Sequence, residues 1–170
     1  MQSPQQKPIL VSACLLGLDC RYNGLCKKNS SVLNFLQEGH YTIIPICPEQ
    51  LAGLPTPRPT TQFASGNGAT ILSGEGQLLS ANRVRMNETF IKGANQVLAI
   101  ARMNHCNLAI MKERSPSCGV HQISLNDQIV SGSGVTTALL KQNRISVFNE
   151  DEIESIQAQS VVEKDQQCPR

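Results

Sequence analysis

Four short apolar runs alternate with helical segments along this chain, and three of them lead into a cysteine-bearing turn. The runs are residues 8–13 (PILVSA), 41–46 (YTIIPI), 107–111 (NLAIM) and 145–148 (ISVF). Each is too short for a helix and reads as a buried strand. Asn29 or Ser30 caps a helix that stops near Gly39, with Val32, Leu33, Phe35 and Leu36 on its inner face. Residues 82–104 carry Val84, Phe90, Ile91, Ala94, Val97, Leu98 and Ala101 at helical spacing, with Gly93 as one weak point. Shorter helices are expected over 135–141 and 151–157. Strands alternating with helices imply βαβ units, hence an α/β, Rossmann-like fold with a mainly parallel sheet and helices on both faces. Small hairpins are expected around Gly74-Glu75-Gly76 (69–72 with 77–80) and around Asn126-Asp127 (123–130). Residues 48–67, rich in Pro, Gly and Thr and without a period, read as a long loop, which in a compact domain is usually functional. A length of 170 residues suits one domain. It is expected over residues 1–162, with 163–170 as a flexible tail.

The cysteines sort themselves against this pattern. In a parallel sheet the ligand crevice lies beyond the carboxyl ends of the strands. Cys14, Cys47 and Cys118 each follow a predicted strand, so all three belong at that edge. Cys106 precedes its strand and belongs at the opposite edge, and Cys168 lies in the tail. Cys26 reads as structural. Cys20 shares the Cys14 loop and is undecided between ligand and packed thiol.

Three converging thiols make a metal-site candidate. Structural zinc usually takes four ligands in close pairs such as C-x2-C. This chain has neither CxxC nor HExxH, and it lacks the ferredoxin spacing. Three thiolates without an obvious fourth protein ligand suit a [4Fe-4S] cluster with one open iron, or a catalytic zinc, and thiolate softness admits both.

Composition excludes several other partners. Lys+Arg number 15 against 13 Asp+Glu, so there is no polybasic field for duplex nucleic acid. Trp is absent and aromatics are 4%, which argues against base-stacking platforms. No apolar stretch approaches the length of a membrane span, and the polar first residues lack the apolar core of a signal peptide. The expectation is a cytoplasmic protein with no membrane partner and a small-molecule substrate.

Read together, Ser12-Ala13-Cys14-Leu15-Leu16-Gly17, Cys20-Arg21-Tyr22-Asn23-Gly24, Pro45-Ile46-Cys47-Pro48-Glu49, Gly53-Leu54-Pro55-x-Pro57-Arg58-Pro59, Lys112-Glu113-Arg114-Ser115-Pro116-Ser117-Cys118-Gly119 and Gly132-x-Gly134-Val135-Thr136 resemble the bacterial TudS-like thiouracil desulfidase family. The ordered match runs from about Ile9 to Phe148. The resemblance implies a [4Fe-4S] cluster held by Cys14, Cys47 and Cys118, with one iron open to a thiocarbonyl sulfur. It also implies a catalytic carboxylate at Glu49 and a catalytic serine at Ser115. The implied activity is non-redox, hydrolytic desulfuration of a 2-thiouracil-like base with release of hydrogen sulfide. Two competing readings are a cluster-binding sulfur carrier without turnover and a zinc-dependent hydrolase using the same thiolates.

Some positions depart from the family pattern. Asn23 stands where Asp is common, Gln62 where Glu is frequent, and Arg85-Met86-Asn87 replaces a frequent Asp-Val-Thr. They are expected to line or brace the pocket. Lys112, Glu113 and Arg114 read as a polar rim. Ser133, Gly134 and Thr136 open a helix whose free N–H groups favour an anion or a polar edge. His40, His105 and His121 read as surface or turn residues.

Overall fold

A computed structural model describes residues 6–157. The elements in chain order are β1 (Pro8–Ser12), α1 (Ser30–Glu38), β2 (Thr42–Ile46), α2 (Pro48–Leu51), β3 (Thr61–Ser65), α3 (Gly68–Ser73), β4 (Gln77–Ser80), α4 (Asn87–Met103), β5 (Leu108–Met111), β6 (Gln122–Leu125), β7 (Gln128–Ser131), α5 (Val135–Gln142) and β8 (Ser146–Asn149). Residues 153–157 are helical, and the expected tail with Cys168 lies outside the described residues. No helix among the described residues is long and apolar enough to cross a membrane.

The four apolar runs form one parallel sheet in the order β2-β1-β5-β8. Its two faces are dressed differently, because side chains alternate along a strand. Leu10, Ala109, Met111 and Val147 pack on one side against Val97, Leu98 and Ala101 of α4 and Leu140 of α5. Ile9, Val11 and Ile110 pack on the other against Val32, Phe35 and Leu36 of α1 and against Ile153 and Ile156. Helices therefore cover both faces, as the alternation implies. The run at 41–46 is apolar but not buried: β2 is an edge strand in which only Ile46 is fully enclosed. Pro45 is tolerated there because an edge strand need not donate every N–H.

A second sheet, in the order β4-β3-β6-β7, goes beyond the sequence expectation. The segment 61–65, read as loop, is β3, and it takes β4 as its antiparallel partner. Residues 69–72, read as a hairpin arm, lie within α3 (Gly68–Ser73) instead. The Asn67 side chain accepts the N–H groups of Ala69 and Thr70, while the Thr70 hydroxyl accepts the Asn67 N–H. This capping box starts a helix despite the strand-like Thr70-Ile71-Leu72. The hairpin β6–β7 forms as expected, with Asn126 and Asp127 both at positive φ in the turn. A single parallel pairing, Phe63 with Leu125, joins the two antiparallel strand pairs. Phe63, Leu78 and Ile123 of this sheet pack on Phe90 and Ala94 of α4 and Val135 of α5. Helices α4 and α5 thus lie between the two sheets.

Helix α4 begins at Asn87, later than its apolar spacing suggests. Asn87 is buried; its Oδ1 accepts the Leu78 N–H and its Nδ2 donates to the Gly76 carbonyl, both at 2.9 Å. The position is a structural tie between β4 and α4, not a pocket residue.

Candidate active site

The chain enters the parallel sheet at β1, moves outward to β2, then returns to the other side of β1 at β5. The order reverses between β1 and β5, which is where such sheets open a ligand crevice. A cavity of about 460 Å³ lies there, lined by Cys14, Cys20, Cys47, Cys118, Glu49 and Ser115 among others. Volumes of this order accommodate small organic ligands.

Each thiol is placed by its own local device. Cys14 sits in a single 3-10 turn, Ala13–Leu16, that continues β1 and ends at Gly17, whose φ is 97°. Its carbonyl accepts the Lys27 N–H at 2.9 Å, which folds the intervening loop back over the turn. Cys47 ends β2 and caps α2, with Pro48 at the first helical position, where its missing N–H costs nothing. Cys118 lies in a turn after β5 that Ser115 organises. The Ser115 Oγ accepts the N–H groups of Ser117 and Cys118 at 3.2 and 3.1 Å.

The N-terminus of α5 completes that turn and is not free for an anion. Val135 and Thr136 donate to the carbonyls of Pro116 and Ser117, each at 2.9 Å. The Thr137 hydroxyl donates to the Cys118 carbonyl at 2.8 Å. The Gly-rich opening at 132–134 has a packing reason as well. A Cβ on Gly134 would fall 2.4 Å from the Ser117 carbonyl carbon.

Cys20, undecided from the sequence, is buried and joins the group: its thiol interacts with those of Cys14 and Cys47. The neighbouring Cys14, with burial and despite Cys47, pushes the Cys20 thiol up to about 11. Cys47 is pushed far above the ordinary thiol value by Cys20 and then by burial. Burial does the same to Cys118, against the Ser12 and Ser115 hydroxyls that face its sulfur. Cys106 is buried at the amino end of β5, in the core beside Val97 and Ala101, as the strand-edge reasoning expects. Cys26 is half-buried and lies outside the cavity lining.

Glu49, in the single turn of α2, does not face solvent alone. Arg58 Nε donates to its Oε2 at 2.6 Å. The same guanidinium donates through Nη1 to the Cys20 carbonyl at 3.0 Å and to Pro55 O and Thr56 Oγ1, both at 3.2 Å. The sequence alone does not single out Arg58. It lies in an aperiodic Pro-rich segment, and nothing in the pattern pairs it with a carboxylate nine residues earlier.

Lys112, Glu113 and Arg114 line the cavity as a polar rim would, but Glu113 does more. Glu113 is buried, and its carboxylate accepts N–H groups of Val120 (2.9 Å), Gln122 (2.9 Å) and His121 (3.2 Å), and Asn149 Nδ2 (2.5 Å). Burial opposes its ionisation, but the hydrogen bonds from Gln122, Asn149, Arg114 and His121 prevail and hold its pKa below the usual carboxylate value. Lys112 pairs with Glu150. Through Glu113, with Asn149 and Glu150, a buried knot fastens the Cys118 turn to the end of β8.

Of the positions that depart from the family pattern, Gln62 lines the cavity and accepts the Asp127 N–H at 2.9 Å. Asn23 only braces its own turn, accepting the Leu25 N–H. His40 and His105 occupy exposed turns, and His121 pairs with Glu152 at the surface.

Four cysteines on one cavity are a soft donor set, of the kind that suits an iron–sulfur cluster or zinc. Among the described residues no group of three His, Cys, Asp or Glu side chains is arranged to hold one metal ion. A multinuclear cluster takes its thiolates one per iron, so they need not meet at a point. Thiols whose burial disfavours the free thiolate become ligands when a metal displaces their protons.

Comparison with known proteins follows the same line. A family model described as 2-thiouracil desulfurase matches residues 9–152. YbbK of Bacillus subtilis (strain 168), described as an uncharacterized protein, is 36% identical over 151 residues, 87% of this chain and 99% of the relative. Among solved structures, the [4Fe-4S]-dependent thiouracil desulfidase TudS superposes with a TM-score of 0.77 at 34% identity. The alignment covers 92% of this chain and 99% of that one.

Proposed function

The chain belongs to the 2-thiouracil desulfurase family, and on that premise we propose that it is an iron–sulfur-dependent desulfurase that exchanges the thiocarbonyl sulfur of a 2-thiouracil-like base for oxygen. The reading rests above all on the convergence of Cys14, Cys47 and Cys118 with Glu49 and Ser115 on one cavity at the sheet's switch point. Cys14, Cys47 and Cys118 would hold a [4Fe-4S] cluster. When bound, it supplies a soft, Lewis-acidic iron suited to a thiocarbonyl sulfur.

The chain's own residues carry the proton chemistry. Glu49 takes one proton from the water that attacks the thiocarbonyl carbon and passes it to the sulfur, then takes the second from the new hydroxyl as the carbonyl forms and the C–S bond breaks, passing that too to the departing sulfur. A thiocarbonyl and a water thus become a carbonyl and a hydrogen sulfide, with no electron gained or lost. Arg58 Nε donates to the Glu49 carboxylate at 2.6 Å and so fixes the orientation of the group that takes the proton. Ser115 accepts two backbone N–H groups at its oxygen, so its own proton remains to be given to the Cys118 sulfur or to substrate. Ile46 and Pro116 add apolar wall to the cavity beside these polar groups.

The test is anaerobic reconstitution with iron and sulfide followed by incubation with 2-thiouracil. Uracil and hydrogen sulfide should appear in equal amounts, and Glu49→Gln should suppress both while keeping its iron. Iron-loaded protein that yields neither product from any thiolated pyrimidine would overturn the reading.

A further inference from the structure

The Arg58 guanidinium bridges two parts of the cavity that the chain reaches separately. One is the α2 turn carrying Glu49, and the other is the loop carrying Cys20. The Arg58 side chain is 4% exposed and that of Glu49 15%, so their ion pair is largely shielded from water. A planar guanidinium presents its N–H groups in a rigid fork. Here Nε addresses the carboxylate while Nη1 addresses the Cys20 carbonyl, Pro55 O and Thr56 Oγ1. The Arg58 backbone N–H adds a bond to the Tyr22 carbonyl at 2.8 Å, on the same loop. Loop and helix turn are therefore fixed to each other through one side chain.

The Cys20 carbonyl has two donors, Arg58 Nη1 at 3.0 Å and the Cys47 thiol at 3.7 Å.

We propose that Arg58 is the positioning residue of this site: its guanidinium holds the Glu49 carboxylate and the Cys20 loop at a fixed separation across the cavity. For its catalytic consequence the inference rests on the role given to Glu49 above. Its structural consequence stands without that role. A misplaced catalytic group loses rate far more than affinity when it takes no part in ground-state binding.

The test uses Arg58→Met, Arg58→Lys, Glu49→Gln and the Arg58→Met/Glu49→Gln pair, each examined metal-free and reconstituted. In metal-free protein the backbone N–H groups of the Cys20 loop, residues 20–25, should take up a deuterium label severalfold faster in Arg58→Met than in the parent. Glu49→Gln should leave that rate near the parent's, since the Nη1 bonds persist. In loaded protein Arg58→Met should keep its iron and lose about tenfold to a hundredfold in kcat with KM little changed. The double variant should be no slower than Glu49→Gln alone. Arg58→Lys should recover only part of either property, because one ammonium cannot span both partners. If Arg58→Met does not fold, Arg58→Lys decides alone: parent-like labelling and kcat overturn the proposal. Parent-like labelling in Arg58→Met overturns it too, as does full recovery by Lys. A fully active Glu49→Gln would instead refute the Glu49 role, leaving the labelling result to judge Arg58.

Discussion

A Cβ added to Gly93 would lie 2.2 Å from the Pro48 carbonyl oxygen, so α4 and α2 touch backbone to backbone beside Cys47. The glycine that weakens the helical pattern of α4 is what lets the Cys47–Glu49 turn sit where it does.

Gly93→Ala tests this contact. Alanine in a helix interior ordinarily gains about 1 kcal/mol over glycine. Here overpacking should reverse the sign, with a net loss of about 1–3 kcal/mol in denaturant unfolding. Because the backbone of α2 must yield, the variant should also bind less iron on reconstitution. A more stable Gly93→Ala with full iron would mean that the contact carries no constraint.

Glu113 gives a pH prediction with a definite sign. Its folded pKa is depressed, so the stability it contributes is present above the ordinary carboxylate value and lost as pH falls through the depressed one. Glu113→Gln keeps one acceptor oxygen but turns an amino group towards N–H donors. It should cost about 1–3 kcal/mol at neutral pH. The gap between parent and variant should begin to close below about pH 4.3 and vanish once Glu113 is protonated in both states. Urea unfolding across that range measures it; a gap independent of pH would contradict the assignment.

Thr136 is fully buried, and among the described residues its Oγ1 has no hydrogen-bond partner. Thr136→Val replaces the hydroxyl with a methyl of similar shape and removes a desolvated polar group. The metal-free variant should gain about 1 kcal/mol, read as a higher Tm. A lower Tm would reveal a partner for that hydroxyl.

How much of this is legible in the sequence depends on where the signal is local. Ile9, Leu10 and Val11 form an unbroken buried run, and such runs mark a central parallel strand without further context. That is why Cys14, Cys47 and Cys118 can be assigned to one sheet edge. The β3 segment has only Phe63 fully buried, between Gln62 and the small Ala64, and is preceded by a Pro-rich stretch, so nothing local separates it from loop. Its strand character comes from β4 and the distant β6. Arg58 and the Glu113 knot are illegible for the same reason. A charge run looks alike on a surface and in a pocket until the N–H groups that satisfy it are known. The N-terminus of α5 misleads in the opposite direction, since its N–H groups are consumed by the Cys118 turn.

The cysteines separate ligand from neighbour most directly. Four thiols line the cavity, and the proposed cluster uses three. Replacing Cys14, Cys47 or Cys118 by Ser should each abolish stable iron binding after anaerobic reconstitution, because two remaining thiolates cannot hold the cluster. Cys106→Ser should load iron as the parent does, since Cys106 lies at the opposite end of β5, in the core. Cys20 is the discriminating position. The neighbouring Cys14 and burial push its thiol up to about 11, so at neutral pH it remains a protonated neighbour unless a metal takes the proton. As a packed thiol, Cys20→Ser should keep its iron and lose about 1 kcal/mol of stability. As a ligand, it should lose iron as Cys47→Ser does. Iron and sulfide counted per chain, with the visible absorbance of the brown protein, read both outcomes. A Cys106→Ser variant that is empty while Cys47→Ser is full would refute the strand-end geometry itself.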